Sequence, residues 1–233
     1  MFKTLGRYIF MAELGIRYIK IFSKTFFHPF ITLEQGYKQL SSDRQAYSNK
    51  ALDFLNIEVK VFGEVPKQDK ILYAINHRSL LDIIIIESIF SKDNKNGAWI
   101  AKQELFDAIY GKFFEYSGCI SVDLENGRGL LKFFKTIKHT LKKVDDLNIY
   151  IFPEGERFDG EGVTKFQSGA QKIAKSNKLS VVNVFIDDTL EKVLVNSPYK
   201  STKIVEVHFD EISTHENLEE NYLRFMKKVK NAR

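Results

Sequence analysis

The sequence predicts an α/β fold in which helices flank a central, largely parallel β-sheet. Two observations lead to this prediction. From Ile57 onward, short apolar runs of strand length alternate with longer segments of helical periodicity, which is typical of βαβ units. Polar residues, often with glycine or proline, end many of the apolar runs, as expected where buried strands leave a sheet. With 233 residues and 44% hydrophobic composition, the chain can bury one substantial core.

Each element is recognised by its own pattern along the chain. Strands appear as apolar runs bounded by turn residues, and helices appear where apolar residues recur every three or four positions. Strands are predicted at 57–65, 71–75, 98–101, 120–124, 149–152, 181–186 and 203–209. Helices are predicted between them at 80–90, 103–116, 129–144 and 168–176. A last helix is predicted near the C-terminus, where one face carries Leu218, Tyr222, Phe225, Met226 and Val229.

The first 50 residues differ in charge from the rest of the chain. They contain eight Lys and Arg against three Asp and Glu, whereas residues 51–233 contain 27 of each, so this segment holds the whole net charge of +5. Two helices are predicted in this segment, and the second, a polar one, covers 35–50. The first helix is predicted from an apolar stripe at helical spacing, formed by Phe2, Leu5, Ile9, Ala12, Ile16, Ile19 and Phe26.

This basic, amphipathic segment has two interpretations. It fits a helical pair that lies in the interface of an anionic membrane, and it also fits helices that pack on the protein's own core. The segment has no stretch of about 18 uncharged apolar residues, which disfavours a membrane-spanning helix. Glu13 and Arg17 disfavour a cleavable signal peptide. We predict a membrane-docking segment at 1–50 and the main domain at 51–233.

Residues 76–82, Asn-His-Arg-Ser-Leu-Leu-Asp, combine a histidine and a carboxylate directly after a predicted strand. Histidine takes up a proton near neutral pH, and a carboxylate within reach fixes its tautomer and stabilises the imidazolium. His77 and Asp82 therefore predict a general base that activates a hydroxyl. Ser79 and Asp82 also form a capping-box pattern. The alternative is that Asp82 only caps the helix and that His77 is a core residue.

Residues 152–157, Phe-Pro-Glu-Gly-Glu-Arg, form a second polar turn after a predicted strand. Gly155 permits close approach of the backbone to a ligand, and Arg157 can bind a phosphate or carboxylate through two parallel hydrogen bonds. Taken alone, the segment is also an ordinary charged turn. Because both turns follow strands of a largely parallel sheet, we expect them at one edge, where such sheets bind ligands.

Taken in this order, the two segments resemble the glycerolipid acyltransferase family, which includes the 1-acylglycerol-3-phosphate acyltransferases. The family's Asn-His-x4-Asp block matches in full at Asn76, His77 and Asp82. Its Phe-Pro-Glu-Gly-Thr-Arg block matches at 152–157, except that Glu156 replaces the threonine.

Three shorter segments extend the resemblance, which runs from about residue 57 to about residue 186. Ala-Lys-Gln-Glu-Leu at 101–105 and Gly-Cys-Ile-Ser-Val-Asp at 118–123 resemble the two ends of the second block. Phe-Gln-Ser-Gly-Ala at 166–170 resembles the family's Phe-Lys-x-Gly-Ala.

Three positions depart from the family pattern. Leu124 stands where the family has arginine, although Arg128 lies nearby. Gln167 stands where the family has lysine, and Asn183 where it has proline. The resemblance places all three near the acceptor phosphate or the wall of the site, so the departures leave the acceptor's identity open while His77 and Asp82 are retained.

The resemblance implies an acyltransferase domain at 51–233. His77 would deprotonate the free hydroxyl of 1-acylglycerol-3-phosphate, and Asp82 would hold His77 in the correct tautomer, so that phosphatidic acid is made for phospholipid synthesis. Acyl carrier protein or acyl-CoA would supply the acyl group as a thioester, with no metal and no other cofactor. The expected location is the cytoplasmic face of the cell membrane. The implied substrate-binding residues, with Glu154 orienting the site, are Glu154, Gly155, Arg157 and Lys102.

Other functions are weighed against this one. A different lysolipid acceptor, such as a lyso-aminolipid, fits the departures, and a non-catalytic peripheral lipid-binding protein fits the basic N-terminal segment. Nucleic-acid binding is disfavoured because residues 51–233 carry no net charge. Cys119 is the only cysteine, which excludes an internal disulfide, and His208 and His215 lack further ligands for zinc.

Overall fold

A computed structural model gives the fold of this chain. It describes residues 5, 9, 12, 16, 30–108, 111–123, 127–158, 160 and 162–232. Seven strands form one sheet. They are β1 (Ile57–Phe62), β2 (Ile71–Ile75), β3 (Gly97–Lys102), β4 (Ile120–Val122), β5 (Asn148–Ile151), β6 (Ser180–Ile186) and β7 (Lys203–Phe209).

Helices connect most of the strands. They are α1 (Leu33–Leu55), α2 (Leu81–Phe90), α3 (Gln103–Asp107), α4 (Gly111–Tyr116), α5 (Gly127–Lys143), α6 (Gly169–Asn177), α7 (Leu190–Asn196) and α8 (Leu218–Asn231). A short 3-10 turn, Ser91–Asp93, follows α2.

The sheet has the strand order β1-β7-β6-β2-β5-β3-β4. The five strands from β6 to β4 are parallel, and β7 pairs antiparallel with β6 and parallel with β1. The predicted α/β class and the largely parallel sheet are therefore confirmed. Because β2, β3 and β5 run in one direction, the turns after them lie at one edge of the sheet.

Helices cover both faces of the sheet, as the burial of β2 on both of its faces shows. All five of its residues are buried, with Leu72 and Ala74 in one core and Ile71, Tyr73 and Ile75 in the other. The first core packs against α5, α6 and α8, and the second packs against α1, α2 and α7. A strand that is buried on both faces must be apolar throughout, which explains the continuous apolar run.

Glycine residues explain two differences between predicted and observed elements. The strand predicted at 57–65 ends at Phe62 because Gly63 adopts φ +81°, and a Cβ there would lie 2.3 Å from the carbonyl oxygen of Phe209. The single helix predicted at 103–116 is two helices. Gly111 packs so tightly against Phe106 that a Cβ would lie 1.7 Å from its carbonyl oxygen, and Ala108 between the helices is extended. Helix α7 was not predicted.

The helix predicted at 35–50 belongs to the continuous helix α1, which crosses the predicted boundary at residue 50. Arg44 of α1 donates to Glu87 of α2 over 2.6 Å, and both side chains are buried. A second nitrogen of Arg44 donates to the carbonyl oxygen of Gly97 over 2.6 Å. Helix α1 therefore packs on α2 and β3 as part of the folded core.

The first predicted helix lies mostly outside the described residues. Leu5, Ile9, Ala12 and Ile16 are helical and exposed, whereas Phe2, Ile19 and Phe26 of the same stripe are outside the described part of the chain. The helical pair thus stays a prediction. Within the described ranges, every helix is too short or too polar to cross a membrane.

Candidate active site

His77 and Asp82 form a hydrogen-bonded pair at the end of β2. Asp82 lies in the first turn of α2, is fully buried, and its Oδ2 lies 2.7 Å from His77 Nδ1. The same oxygen accepts from the backbone N–H groups of Arg78 at 2.6 Å and Ser79 at 2.9 Å. One carboxylate therefore binds the imidazole, as the general-base interpretation expects, and also the loop amides, as the capping interpretation expects. The helix begins one residue later than the capping-box pattern predicts, with Leu80 at the N-cap.

The hydrogen bond to Asp82 determines which nitrogen of His77 can act as a base. A carboxylate accepts, so Nδ1 carries the proton and Nε2 keeps its lone pair. The ring of His77 stacks on that of Phe152 with centroids 3.8 Å apart and planes 8° apart. The side chain is 15% exposed. The imidazole is therefore held between a carboxylate and an aromatic ring while one edge reaches the surface.

Glu154 fixes the backbone of the histidine. It is 2% exposed, and its Oε1 accepts from the backbone N–H of His77 at 2.9 Å. Its Oε2 accepts from the backbone N–H and the hydroxyl of Thr164 at 2.7 and 3.2 Å. The predicted role in orienting the site agrees with this geometry. Both carboxylate oxygens bind the protein itself, which leaves the predicted role in substrate binding without support from the contacts.

Asn76 ties the end of β2 to the end of β6. Its amide exchanges two hydrogen bonds with the backbone of Ile186, at 3.0 and 2.8 Å. The Tyr222 hydroxyl, from α8, donates to Val184 O at 2.7 Å and lies 3.3 Å from Asn76 Oδ1. Burial raises the pKa of the Tyr222 phenol well above its usual range, and the nearby carboxylate of Glu154 adds to the shift. Tyr222 therefore stays protonated and able to donate.

Arg78 binds the segment that follows the second polar turn. Its guanidinium donates to the carbonyl oxygens of Phe158 at 2.7 Å and Gly160 at 2.6 Å, and also to that of Gly162. The backbone N–H of Phe158 donates to the carbonyl oxygen of His77 at 3.0 Å. The two predicted segments are thus joined by main-chain and side-chain contacts.

Lys102 and Gln167 both lie against Gly155, in the second polar turn. Gly155 has φ +78°, and a Cβ there would lie 3.2 Å from Gln167 Cγ and 4.0 Å from Lys102 Cε. Lys102 is half-buried at the end of β3, and Arg157 is exposed. Neither cation forms an ion pair or hydrogen bond with a described residue. Two cations that no described residue neutralises are thus available near the turn.

The three departures from the family pattern have different surroundings. Gln167 lies against Gly155, at the predicted phosphate-binding edge. Asn183 is buried within β6, where its amide donates to Asp210 Oδ2 at 3.1 Å. This contact links β6 to the residue that follows β7. Leu124 lies outside the described residues.

Sequence patterns did not identify three residues that organise the site, namely Thr164, Tyr222 and Arg78. Thr164 and Tyr222 come from distant parts of the chain, and Arg78 lies inside the first block without a pattern of its own. In the described part of the chain, no group of three or more His, Cys, Asp and Glu side chains could hold a metal ion. The expectation that no metal takes part stays a prediction.

Comparisons with known proteins indicate the family and the fold of this chain. A family model described as Acyltransferase matches residues 56–187, more than half of the chain. A 1-acyl-sn-glycerol-3-phosphate acyltransferase of Helicobacter pylori is 33% identical over 134 residues, which cover 57% of this chain and 54% of that protein. A probable 1-acyl-sn-glycerol-3-phosphate acyltransferase of Mycoplasma genitalium is 27% identical over 153 residues, which cover 65% of this chain and 55% of that protein. The chain thus spans about half the length of these curated relatives.

A solved structure shares the fold over nearly the whole chain. The crystal structure of the 1-acyl-sn-glycerophosphate (LPA) acyltransferase PlsC from Thermotoga maritima superposes with a TM-score of 0.67. The match covers 95% of this chain and 94% of that one, at 20% sequence identity. At this identity the likeness establishes the fold.

Proposed function

This chain belongs to the acyltransferase family, and from that premise we propose that it transfers a fatty acyl group from a thioester to the free hydroxyl of 1-acylglycerol-3-phosphate, making phosphatidic acid. The observation that carries the proposal is the 2.7 Å contact between His77 Nδ1 and Asp82 Oδ2 at the carboxyl edge of the sheet. It leaves Nε2 as the basic nitrogen. The names of the curated relatives support the same acceptor.

The reaction follows from this arrangement. His77 Nε2 takes the proton of the acceptor hydroxyl while its oxygen attacks the thioester carbonyl carbon, and Asp82 stabilises the imidazolium that forms. The tetrahedral oxyanion then collapses, the carbon–sulfur bond breaks, and the leaving thiolate takes the proton back from His77. The products are phosphatidic acid and a free thiol, and His77 is again neutral. The substrates in this scheme supply every atom and every proton.

The acceptor phosphate is assigned to the edge around Gly155. The cations Lys102 and Arg157 are the predicted phosphate ligands, and neither is neutralised by a described residue. The φ of +78° at Gly155 favours glycine, which leaves no side chain in the space between Lys102 and Gln167. A phosphate bound there would hold the hydroxyl of the same molecule near His77.

A different lysolipid acceptor is a second candidate because of Gln167. This neutral amide lies against Gly155 at the position where the family pattern has a cation. An acceptor panel that compares lysolipids with and without a terminal phosphate monoester separates the two candidates. Preference for the monoester supports 1-acylglycerol-3-phosphate, and preference for a zwitterionic or amino lysolipid supports the alternative.

Peripheral attachment at the cytoplasmic face of the membrane is part of the proposal. Leu5, Ile9 and Ile16 are helical and exposed, and the net positive charge of the chain is concentrated in the same segment. Apolar residues on one side of a basic helix favour an anionic interface. Flotation with anionic liposomes should recover the protein, and Leu5→Glu/Ile9→Glu should weaken recovery.

The direct test is acyl transfer from a labelled acyl thioester to 1-acylglycerol-3-phosphate in mixed micelles. We expect activity in the wild type, its loss in His77→Ala, and no change in His215→Ala, which removes a half-buried histidine elsewhere in the chain. Undiminished transfer by His77→Ala would contradict the assignment of the base. Liposome binding by a protein that transfers no acyl group to any acceptor would favour a non-catalytic lipid-binding protein.

A further inference from the structure

Helix α5 carries the densest positive charge in the described part of the protein. It contains six Lys and Arg residues and no Asp or Glu, although residues 51–233 as a whole have no net charge. Five of its basic side chains recur at spacings of four and three, which places them in one row along the helix. This basic row, exposed throughout, consists of Arg128, Lys132, Lys135, His139 and Lys142.

The basic row faces away from the core. Phe133, Ile137 and Leu141 on the opposite side of α5 are buried against the sheet. Lys132 and Lys135 form no ion pair or hydrogen bond with any residue that the structure describes, so their charges are available to attract the acidic groups of a partner.

A surface groove runs along the basic row. It has a volume of about 480 Å³, and its described lining is formed by residues of the row together with Leu131 and Thr136. Leu131 is 57% exposed. The groove therefore combines one exposed leucine with the basic side chains of the row.

The row begins at the edge of the sheet that carries the active site. Val122, the last residue of β4, pairs with Lys102 of β3, and Lys102 lies beside Gly155. Helix α5 starts shortly after β4, and Asp123 contacts its first turn closely enough that a Cβ on Gly129 would lie 2.5 Å from its carboxylate. From Arg128 to Lys142 the row extends about 21 Å away from that edge, at 1.5 Å per residue.

We propose that the basic row docks the acidic surface of a protein that carries the fatty acyl chain as a thioester, which makes an acyl carrier protein the donor. The inference rests on the proposed function and deepens it. A straight row of basic side chains, two of which (Lys132 and Lys135) have no partner among the described residues, matches a row of carboxylates on a partner protein. Such complementarity raises association rates and fixes orientation. Docking along α5 brings the thioester to the edge where His77 lies.

A membrane surface fits the row less well. A helix that lies in a bilayer interface inserts its apolar face. The apolar face of α5 is already buried in the protein core, so lipid would gain only charge attraction and one leucine. The exposed apolar residues Leu5, Ile9 and Ile16 lie in the N-terminal segment instead.

The experiment compares two donors with two charge-reversal variants. Lys132→Glu/Lys135→Glu reverses the basic row, and Lys227→Glu/Lys228→Glu reverses two exposed lysines of α8 as a matched control. We expect the row variant to lose roughly tenfold or more in kcat/KM with palmitoyl acyl carrier protein, through KM, and nothing with palmitoyl-CoA. The loss should shrink as salt is raised, and the control should behave as wild type.

Several outcomes would overturn the inference. They are an unchanged kcat/KM with the carrier protein, an equal loss with both donors, an equal loss in the control, or weakened binding of the row variant to anionic liposomes. Lys132→Gln/Lys135→Gln serves if the reversed variant does not fold. Binding of a fluorescent acyl carrier protein, measured by anisotropy, tests docking without turnover. Binding that the row variant abolishes, in a chain that transfers no acyl group, would count against the proposed function and leave the docking surface standing.

Discussion

Replacing Glu154 by glutamine should separate a role in positioning His77 from a role in binding substrate. The carboxylate is buried and accepts hydrogen bonds from the backbone of His77 and from Thr164. Glutamine keeps one acceptor oxygen and turns an NH2 group toward a backbone N–H donor. Of the three charge-assisted hydrogen bonds that the carboxylate accepts, at least one is then lost and the others become weaker, and such bonds contribute about 1.5–3 kcal/mol each.

We therefore expect Glu154→Gln to lower the free energy of unfolding by about 2–4 kcal/mol. Because the His77 backbone loses its fixed partner, kcat should fall by up to roughly 100-fold, the scale of a 1 Å misplacement of a catalytic group. Urea unfolding gives the first quantity, and steady-state acyl transfer gives the second. Glu156→Gln is the matched control, because Glu156 is exposed two residues away and should change neither.

The opposite pattern would refute this reasoning. If Glu154→Gln left stability and kcat unchanged and raised only the KM for the acceptor, the carboxylate would contact substrate, as the sequence pattern implied. A loss of stability with an unchanged kcat would mean that the backbone of His77 is held by other contacts.

Three other predictions concern the rest of the fold. Arg44→Met should cost about 3–5 kcal/mol in urea unfolding because it leaves the carboxylate of Glu87 buried without its cation, and a cost below 1 kcal/mol would contradict this. Gly155→Ala should cost about 1–2 kcal/mol, since φ is +78°, and raise the KM for the acceptor, whereas Gly127→Ala, with open space around it, should do neither. Burial raises the pKa of the Cys119 thiol, so at a given pH iodoacetamide should alkylate the native protein more slowly than the urea-unfolded chain, and equal rates would be inconsistent with that shift.

The pairing of His77 with Asp82 could be predicted because it is local. A strand end, a short loop and the first turn of a helix leave little freedom over five residues, and the strand pattern also predicts that the turn at 152–157 lies at the same edge. The sheet class was predictable for the same reason, since alternating apolar runs determine it.

Contacts between distant parts of the chain could not be predicted in this way. Tyr222 reaches Asn76 across 146 residues, and Arg44 reaches Glu87 across 43, and neither pairing leaves a periodic trace in the sequence. The sequence pattern suggested that Glu154 binds substrate, and this stays a prediction. A motif reveals which side chain is present but not the direction in which it points.

The basic row on α5 illustrates a different limit. The neutral charge of residues 51–233 concealed it, because the acidic residues that balance the sum lie on other elements. The spacing of four and three was present in the sequence, yet its meaning depends on which face of α5 is buried. Charge summed over a long segment therefore indicates little about where the charge lies on the surface.

The most direct test of the His77–Asp82 assignment is kcat for acyl transfer by the His77→Ala/Asp82→Asn double variant, compared with each single variant. Groups that act as one unit lose activity non-additively, so we expect each single variant to lose roughly 10²–10⁴-fold and the double variant to lose no more than His77→Ala alone. If the two losses multiplied, or if Asp82→Asn retained wild-type turnover, the paired general base would be refuted.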